Sequence, residues 1–363
     1  MRSATIFTFA LANGALAARA FLNEPDTGIQ DVLGGLPDGR LPELSSIVGL
    51  PDFEWVAKKY MPVRNFSYYR NGAGGEWSYR NNLEVFHRYR LRPRVLVDNW
   101  AIESTLSMYL PHPLGMGNNE IVATILGHIV SAPFFISPAA RAHYAHPDAK
   151  LNLVKAAGAE KIMYMPALYA SKTINEIAAA KKPGQGTFQQ LHLSSNRSGN
   201  QELFDRAEKS GAMAIVFTVD SAADGNRHRA ARFGVGSVYV LLGPTSLRPL
   251  DSVPTDQCPP RPISSDPDYS SFTWNFYRSL TNMTRLPIIL KGIMTVKGRA
   301  NGGSQQGAGH HSSNHGGRQL DGSPSSLEVA LEIHDRAPDV FKGTEVYADG
   351  GIRYGAYALM LEI

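Results

Sequence analysis

From about residue 130 onward, short apolar runs alternate with segments whose apolar residues recur at helical spacing. Pro133–Ser137, Lys161–Met165, Thr187–Leu193, Met213–Val219, Leu286–Leu290 and Thr344–Ala348 read as strands, because each is a brief, mostly apolar run of β-prone residues. Ala149–Ala157, Thr173–Lys182 and Gln201–Ser210 carry the helical pattern between them. Strands that are apolar on both faces and joined through helices predict a parallel sheet covered on both sides. That many βα repeats in one chain favour an α/β fold of the (β/α)8 TIM-barrel class over an open sheet. Upstream, Asp52 to Tyr60 predicts a short helix with Asp52 as its N-cap, and residues 21–50 predict an irregular Pro/Gly-rich arm.

Two stretches break this rhythm. Residues 236–268 hold four prolines between Pro254 and Pro262 and predict a long loop, a lid or disordered, before a helix over Tyr269–Asn282. Lys297 to His311 is glycine-rich and polar where the sixth βα unit requires a helix and an apolar strand. Such composition predicts a degenerate sixth strand that cannot bury well.

Composition adds limits. With 363 residues, 43% hydrophobic and 19% charged, the chain can bury a large core. The net charge of +4 arises from 36 basic residues scattered among 32 acidic ones, which argues against a nucleic-acid partner. The one cysteine, Cys258, excludes an intrachain disulfide. Met1-Arg2, the apolar run Ala4–Ala17 and the small residues to Ala20 read as a signal peptide over residues 1–20, the alternative being a buried amphipathic helix. Sequons at Asn65, Asn196 and Asn282 agree with a secreted or vesicular glycoprotein; a cytoplasmic location is the alternative. No other run is long enough to span a bilayer. The expected organisation is a signal peptide, an arm and helical cap over 21–110, and a barrel over 111–363.

Reactive groups of such barrels lie just after the strands, at the C-terminal rim. Those positions hold Ser137-Pro138-Ala139-Ala140, Gln190-Leu191-His192, Thr218-Val219-Asp220, Lys291-Gly292, Ser313-Asn314-His315 and Asp349-Gly350-Gly351. Hydroxyl, amide, Lys, His and Gly-Gly groups gathered there suggest a phosphorylated cofactor with a polar ring, and no metal. The run Ser313–Gly322, taken with Tyr68–Ala73, Arg92–Asp98, His146-Pro147, Leu290–Gly292 and Arg353, resembles the FMN-dependent 2-hydroxy-acid dehydrogenases and oxidases, the family of glycolate oxidase and lactate oxidase. The likeness runs from about Asp52 to Ala358, and the 24-residue spacing from Lys291 to His315 agrees with it.

The resemblance implies a role for each residue. His315 would take a proton from an L-2-hydroxy acid while a hydride equivalent moves to flavin N5, its pKa raised by a nearby carboxylate. Arg318, Arg227 and Tyr68 would hold the substrate carboxylate, and His192 would face the developing alkoxide. Lys291 would sit near N1 and the C2 carbonyl of the flavin, where charge builds on reduction. Gln190, Thr218, Ser313, Ser137 and Ala139 would line the cofactor, with Asp349, Gly350, Gly351 and Arg353 at its ribityl and phosphate end. Electrons would pass to oxygen or another acceptor, and the family implies a homotetramer.

Several positions depart from the family pattern. His192 replaces a tyrosine, Ala167 replaces a serine, and Tyr169 stands where an aromatic group shapes the substrate pocket. The sequence reaches Ile363 within what would be the seventh helix, before an eighth strand with its Gly-Arg phosphate contact. Two further readings therefore stand beside hydroxy-acid oxidation: a barrel remnant with weak FMN binding, and a flavoprotein oxidising a larger hydroxylated intermediate.

Overall fold

The computed structural model describes residues 27–92, 95–96, 123–221, 225–235, 272–297 and 309–361. The expected signal peptide, the 236–268 loop, Cys258, Asp98 and most of the 297–311 stretch lie outside those residues. The chain divides into two compact units, 1–62 and 63–363.

In the first unit, α1 (Ile29–Leu33) and α2 (Leu50–Tyr60) bury Ile29, Leu33 and Val56 together. Asp52 is not the N-cap of α2. Gly49 is, and Asp52 stands at the third helical position, where its carboxylate accepts from the Val48 and Gly49 amides at 2.8 and 3.1 Å. A carboxylate one turn in reaches back to the unpaired first amides and complements the helix dipole.

The second unit opens with α3 (Val63–Tyr69), α4 (Trp77–Glu84) and an antiparallel hairpin of β1 (Ala123–Ile125) and β2 (His128–Val130). The βα repeat then runs β3 (Phe135–Ile136), α5 (Lys150–Glu160), β4 (Met163–Tyr164), α6 (Ile174–Ala179), β5 (Phe188–Leu191), α7 (Arg197–Lys209) and β6 (Ala214–Thr218). After it come α8 (His228–Arg232), α9 (Trp274–Leu280), β7 (Ile288–Lys291), β8 (Gly309–Ser312), α10 (Ser326–Arg336), α11 (Val340–Gly343), β9 (Glu345–Ala348) and α12 (Gly355–Met360). β3 pairs with β4, and β5 to β9 form a five-stranded sheet in chain order, every pairing parallel. A parallel bridge from Tyr164 to Thr187 joins the two sets.

Alternate residues of the strands serve two cores, which is why these runs are apolar throughout. Ile215 and Phe217 of β6, with Ile288 and Leu290 of β7, pack with Phe204, Tyr277 and Leu280 of the covering helices. Ala214, Val216 and Ile289 turn the other way, toward Met163, Met165, Phe188 and Tyr347, and the hairpin's Ile125 and Val130 pack there too. Glu345 fastens that hairpin by accepting from the Leu126 amide with both oxygens, at 3.0 and 2.9 Å. Each large apolar side chain fully buried in these cores contributes roughly 1.5–3 kcal/mol.

Two expectations need correction. The polar strand at the end of the 297–311 stretch does form: Gly309, His310, His311 and Ser312 are all buried between β7 and β9. Its ladder bonds are backbone bonds, indifferent to side-chain polarity, so the inserted histidines do not prevent pairing. The eight-stranded closure is also not seen: among the described residues seven strands run parallel, and no backbone pairing joins β9 to β3. The sheet nevertheless curls until side chains of its two ends meet. Phe135 of β3 lies edge-on to His311 and Tyr347, with ring centroids 5.3 and 5.9 Å apart, and Ser137 donates to Asp349 at 3.0 Å.

Candidate active site

The expected rim residues converge at the C-terminal ends of the parallel strands. Gln190, next to last in β5, lies beside Thr218 of β6, and its amide donates to the threonine hydroxyl at 2.8 Å while its carbonyl accepts from the Leu168 amide at 3.0 Å. Thr218 is in register with Lys291, and Lys291 with His311. Lys291, 4% exposed, donates to Ser313 Oγ at 2.7 Å and lies 3.7 Å from Asp349 Oδ2. Ser313 Oγ also accepts from the His315 amide at 3.0 Å.

His315 stands in left-handed backbone (φ 61°), which turns its ring back over the rim. Its Nδ1 lies 3.0 Å from Asp220 Oδ1. Burial alone would raise the Asp220 carboxyl, but the neighbouring His315 and Lys291 outweigh it and hold the group below its usual range. An ionised Asp220 fixes the Nδ1–H tautomer and leaves Nε2 as the basic nitrogen. The sequence reading expected a carboxylate to raise the imidazole. Asp220 does pull it upward, but burial, reinforced by Lys291 and Arg227, is stronger and lowers His315 overall. A lowered pKa keeps the ring neutral at physiological pH, the state a base requires.

Gly292 makes the Asp220 approach possible. It adopts φ 108°, and a Cβ there would fall 2.6 Å from Asp220 Cβ and Cγ. Gly350 and Gly351 play a similar part toward α4: a Cβ on Gly351 would collide with the Asn82 carbonyl. Asn82 in turn forms a reciprocal amide pair with Asn314, at 2.9 and 2.8 Å.

Tyr68, Arg227 and Arg318 also come together. Arg318 donates to the carbonyls of Tyr68 and Tyr69 at 3.0 and 3.2 Å, with its guanidinium 5.6 Å from the centre of the Tyr68 ring. Arg227, 8% exposed, donates to the Arg318 carbonyl at 2.8 Å and to Gln319 Oε1 at 2.6 Å. His192 stacks on Tyr169 with centroids 4.9 Å apart, so two of the departures from the family pattern touch each other. Ala167 is buried, Arg353 is half-buried just past Gly351, and Ala139 is exposed.

The rim motif contains Asp220 without marking it for a role; its place two residues past Thr218 is the one signal the sequence carries. No motif singles out His311, whose Nε2 lies 3.2 Å from Asp349 Oδ2. Burial raises the Asp349 carboxyl, yet Lys291 and His311 press it well below the usual range.

At this site two buried acceptors, Asp220 Oδ2 and Asp349 Oδ1, have no hydrogen-bond partner among the described residues. Buried acceptors are normally satisfied, so these suit donors supplied by a ligand. With Lys291, Gln190, Thr218 and Ser313 they make a donor and acceptor set that fits a polar flavin ring and its polyol chain. No helix among the described residues is long and apolar enough to cross a membrane.

Comparison with known proteins agrees. The chain is 35% identical over 315 residues to 2-hydroxyacid oxidase 2 of Rattus norvegicus, covering 86% of this chain and 81% of the relative. It is 29% identical to the L-lactate dehydrogenase (cytochrome) of Wickerhamomyces anomalus over 88% of its own length, and spans about half (52%) of that relative. Among solved structures, a mandelate oxidase variant superposes with a TM-score of 0.69 at 28% identity, covering 86% of this chain and 81% of that one. A flavocytochrome b2 variant gives 0.71 at 26% identity, covering 93% and 76%. These neighbours are TIM barrels and FMN flavoproteins. The family model for FMN-dependent dehydrogenases matches residues 57–359, and this chain belongs to that family.

Proposed function

We propose that the protein oxidises an L-2-hydroxy acid to the corresponding 2-oxo acid, with electrons passed on to oxygen or another acceptor. The observation that carries this reading is the His315–Asp220 pair, 3.0 Å apart, beside Lys291, Arg227 and Arg318. Bound FMN supplies the two-electron acceptor. The neutral His315 Nε2 takes the substrate proton, and Asp220 orients the ring and offsets the imidazolium charge that results. Tyr68 and the two arginines form a cationic and hydroxyl-bearing wall suited to the substrate carboxylate. Lys291 holds a buried amine beside Ser313, where with FMN bound it would supply positive charge that favours the flavin's reduced form. His192 and Tyr169 form the side-chain wall of the pocket, which sets how large an R group the acid carries.

The test is anaerobic mixing of the FMN-reconstituted protein with L-lactate, glycolate and (S)-mandelate. The expected outcome is bleaching of the flavin absorbance with at least one acid and formation of its 2-oxo product. Bound flavin that stays oxidised with every 2-hydroxy acid tried overturns the proposal.

A further inference from the structure

The sequence pattern casts the Gly309–His310–His311–Ser312 strand as a site of lost apolarity. The structure gives His311 a place in the site. Pairing of His310 with Leu290 and of His311 with Lys291 sets His311 on the inner face with the lysine. There it is fully buried, edge-on to Phe135 and Tyr347 at 5.3 and 6.4 Å, and its Nε2 lies 3.2 Å from Asp349 Oδ2. At that distance the pair is within reach of a hydrogen bond, but its alignment falls short of one. The same Oδ2 accepts from Ser137 at 3.0 Å, while the Lys291 ammonium stays at 3.7 Å.

We infer that His311 is a positioning residue for the cofactor site, acting through Asp349; the inference rests on the FMN-dependent reading above. A neutral His311 presenting Nε2–H to Oδ2, together with Ser137, occupies the side of the carboxylate nearest Lys291. Two consequences follow from that occupancy. Asp349 Oδ1, buried and without a partner among the described residues, is held open for a hydroxyl donor of the cofactor's polyol. Lys291 is kept from collapsing onto Asp349 and stays on Ser313, available to the flavin ring. With an aliphatic side chain at 311, the buried carboxylate keeps the Ser137 hydroxyl but faces the lysine as its one remaining charged neighbour among the described residues. The lysine is then drawn away from the cofactor. Burial disfavours the charged imidazolium, and His311 is accordingly lowered despite the adjacent carboxylate.

The experiment measures FMN binding by the apoprotein through flavin fluorescence quenching, for wild type, H311L and H311Q, each with and without D349N. H311L should weaken binding about tenfold. H311Q, which keeps a donor, should stay within about threefold of wild type, and neither change should matter on the D349N background. A second reading needs no change at position 311: 15N-histidine NMR of the wild-type holoprotein should show His311 as the neutral Nε2–H tautomer. Unchanged affinity in H311L, equal losses on both backgrounds, or an Nδ1–H tautomer each overturn the inference. A wild-type protein that binds no FMN overturns the cofactor reading and the inference together. Wild-type binding without substrate bleaching overturns only the proposed reaction.

Discussion

At the scale of single residues, the site turns on how burial competes with charge at His315. The ring has a carboxylate 3.0 Å away, yet its pKa falls, because burial of the imidazolium outweighs the pull of Asp220. A base works in its neutral form, so kcat/KM should hold as pH falls through the ordinary imidazole range and decline at a lower pH. Replacing Asp220 with Asn removes the one strong influence that raises the group. The acid limb of D220N should therefore move to still lower pH, and its plateau should drop roughly a hundredfold or more as orientation and charge compensation are lost. Steady-state pH profiles of both proteins check this. A D220N limb displaced toward higher pH, or an undiminished plateau, contradicts the assignment. The imidazole itself was legible from the Ser313–Gly322 motif, but the direction of its shift was not. Motifs record which groups are present, and only packing decides how far water is excluded from them.

At the scale of elements, Glu76 binds three segments that each carry site residues. It lies in left-handed backbone (φ 61°) at the start of α4, accepts from the Gly72 amide at 3.0 Å, and pairs with Arg70 at 3.3 Å and Arg229 of α8 at 3.1 Å. Burial works against its charge, but the Arg229 and Arg70 guanidinia and the Gly72 amide hold its carboxyl near pH 2, at about 2 against an ordinary 4.5. A folded pKa below the unfolded one gives stability that is complete above about 4.5 and lost as pH falls toward 2. E76Q should thus be less stable than wild type at pH 7 by on the order of 2–3 kcal/mol. The gap should narrow steadily between pH 4.5 and 2, as urea unfolding at a series of pH values would reveal; a gap independent of pH excludes the electrostatic account. Element existence was readable from periodicity for β3 to β7 and β9, whose apolar runs serve two cores. β8 was misjudged because its register is set by β7 and β9 on either side, and partners of that kind are invisible in a local window. The start of α2 was misplaced by three residues for a related reason: an acidic residue signals a helix start equally well as an N-cap or from within the first turn.

At the scale of the whole second unit, the parallel strands curl until β3 and β9 touch through side chains, and the contacts that bring them together are also contacts of the site. Ser137 of the β3 end donates to Asp349 past β9, and Phe135 packs on His311 and Tyr347. The family's barrel architecture was foreseeable from the βα repeat, whereas this polar seam was not, since it depends on residues more than 170 positions apart; Ser137 and Asp349 are separated by 212. A seam that includes an ionised Asp349, a buried Lys291 and acceptors with no partner among the described residues is costly until a ligand supplies the missing donors. Stability should therefore be coupled to FMN more strongly than a surface cofactor would allow. Ligand binding to the folded state alone adds RT ln(1 + [L]/Kd), about 2.7 kcal/mol at a hundredfold excess over Kd. Thermal melts of the apoprotein across an FMN titration should rise by several degrees, with the midpoint still climbing after the site is saturated, as mass action requires. Hydrogen exchange should slow most at the ends of β6 and β9, next to the orphaned acceptors of Asp220 and Asp349. A midpoint indifferent to FMN, or protection spread evenly over the helices, would mean that the seam is complete without its cofactor.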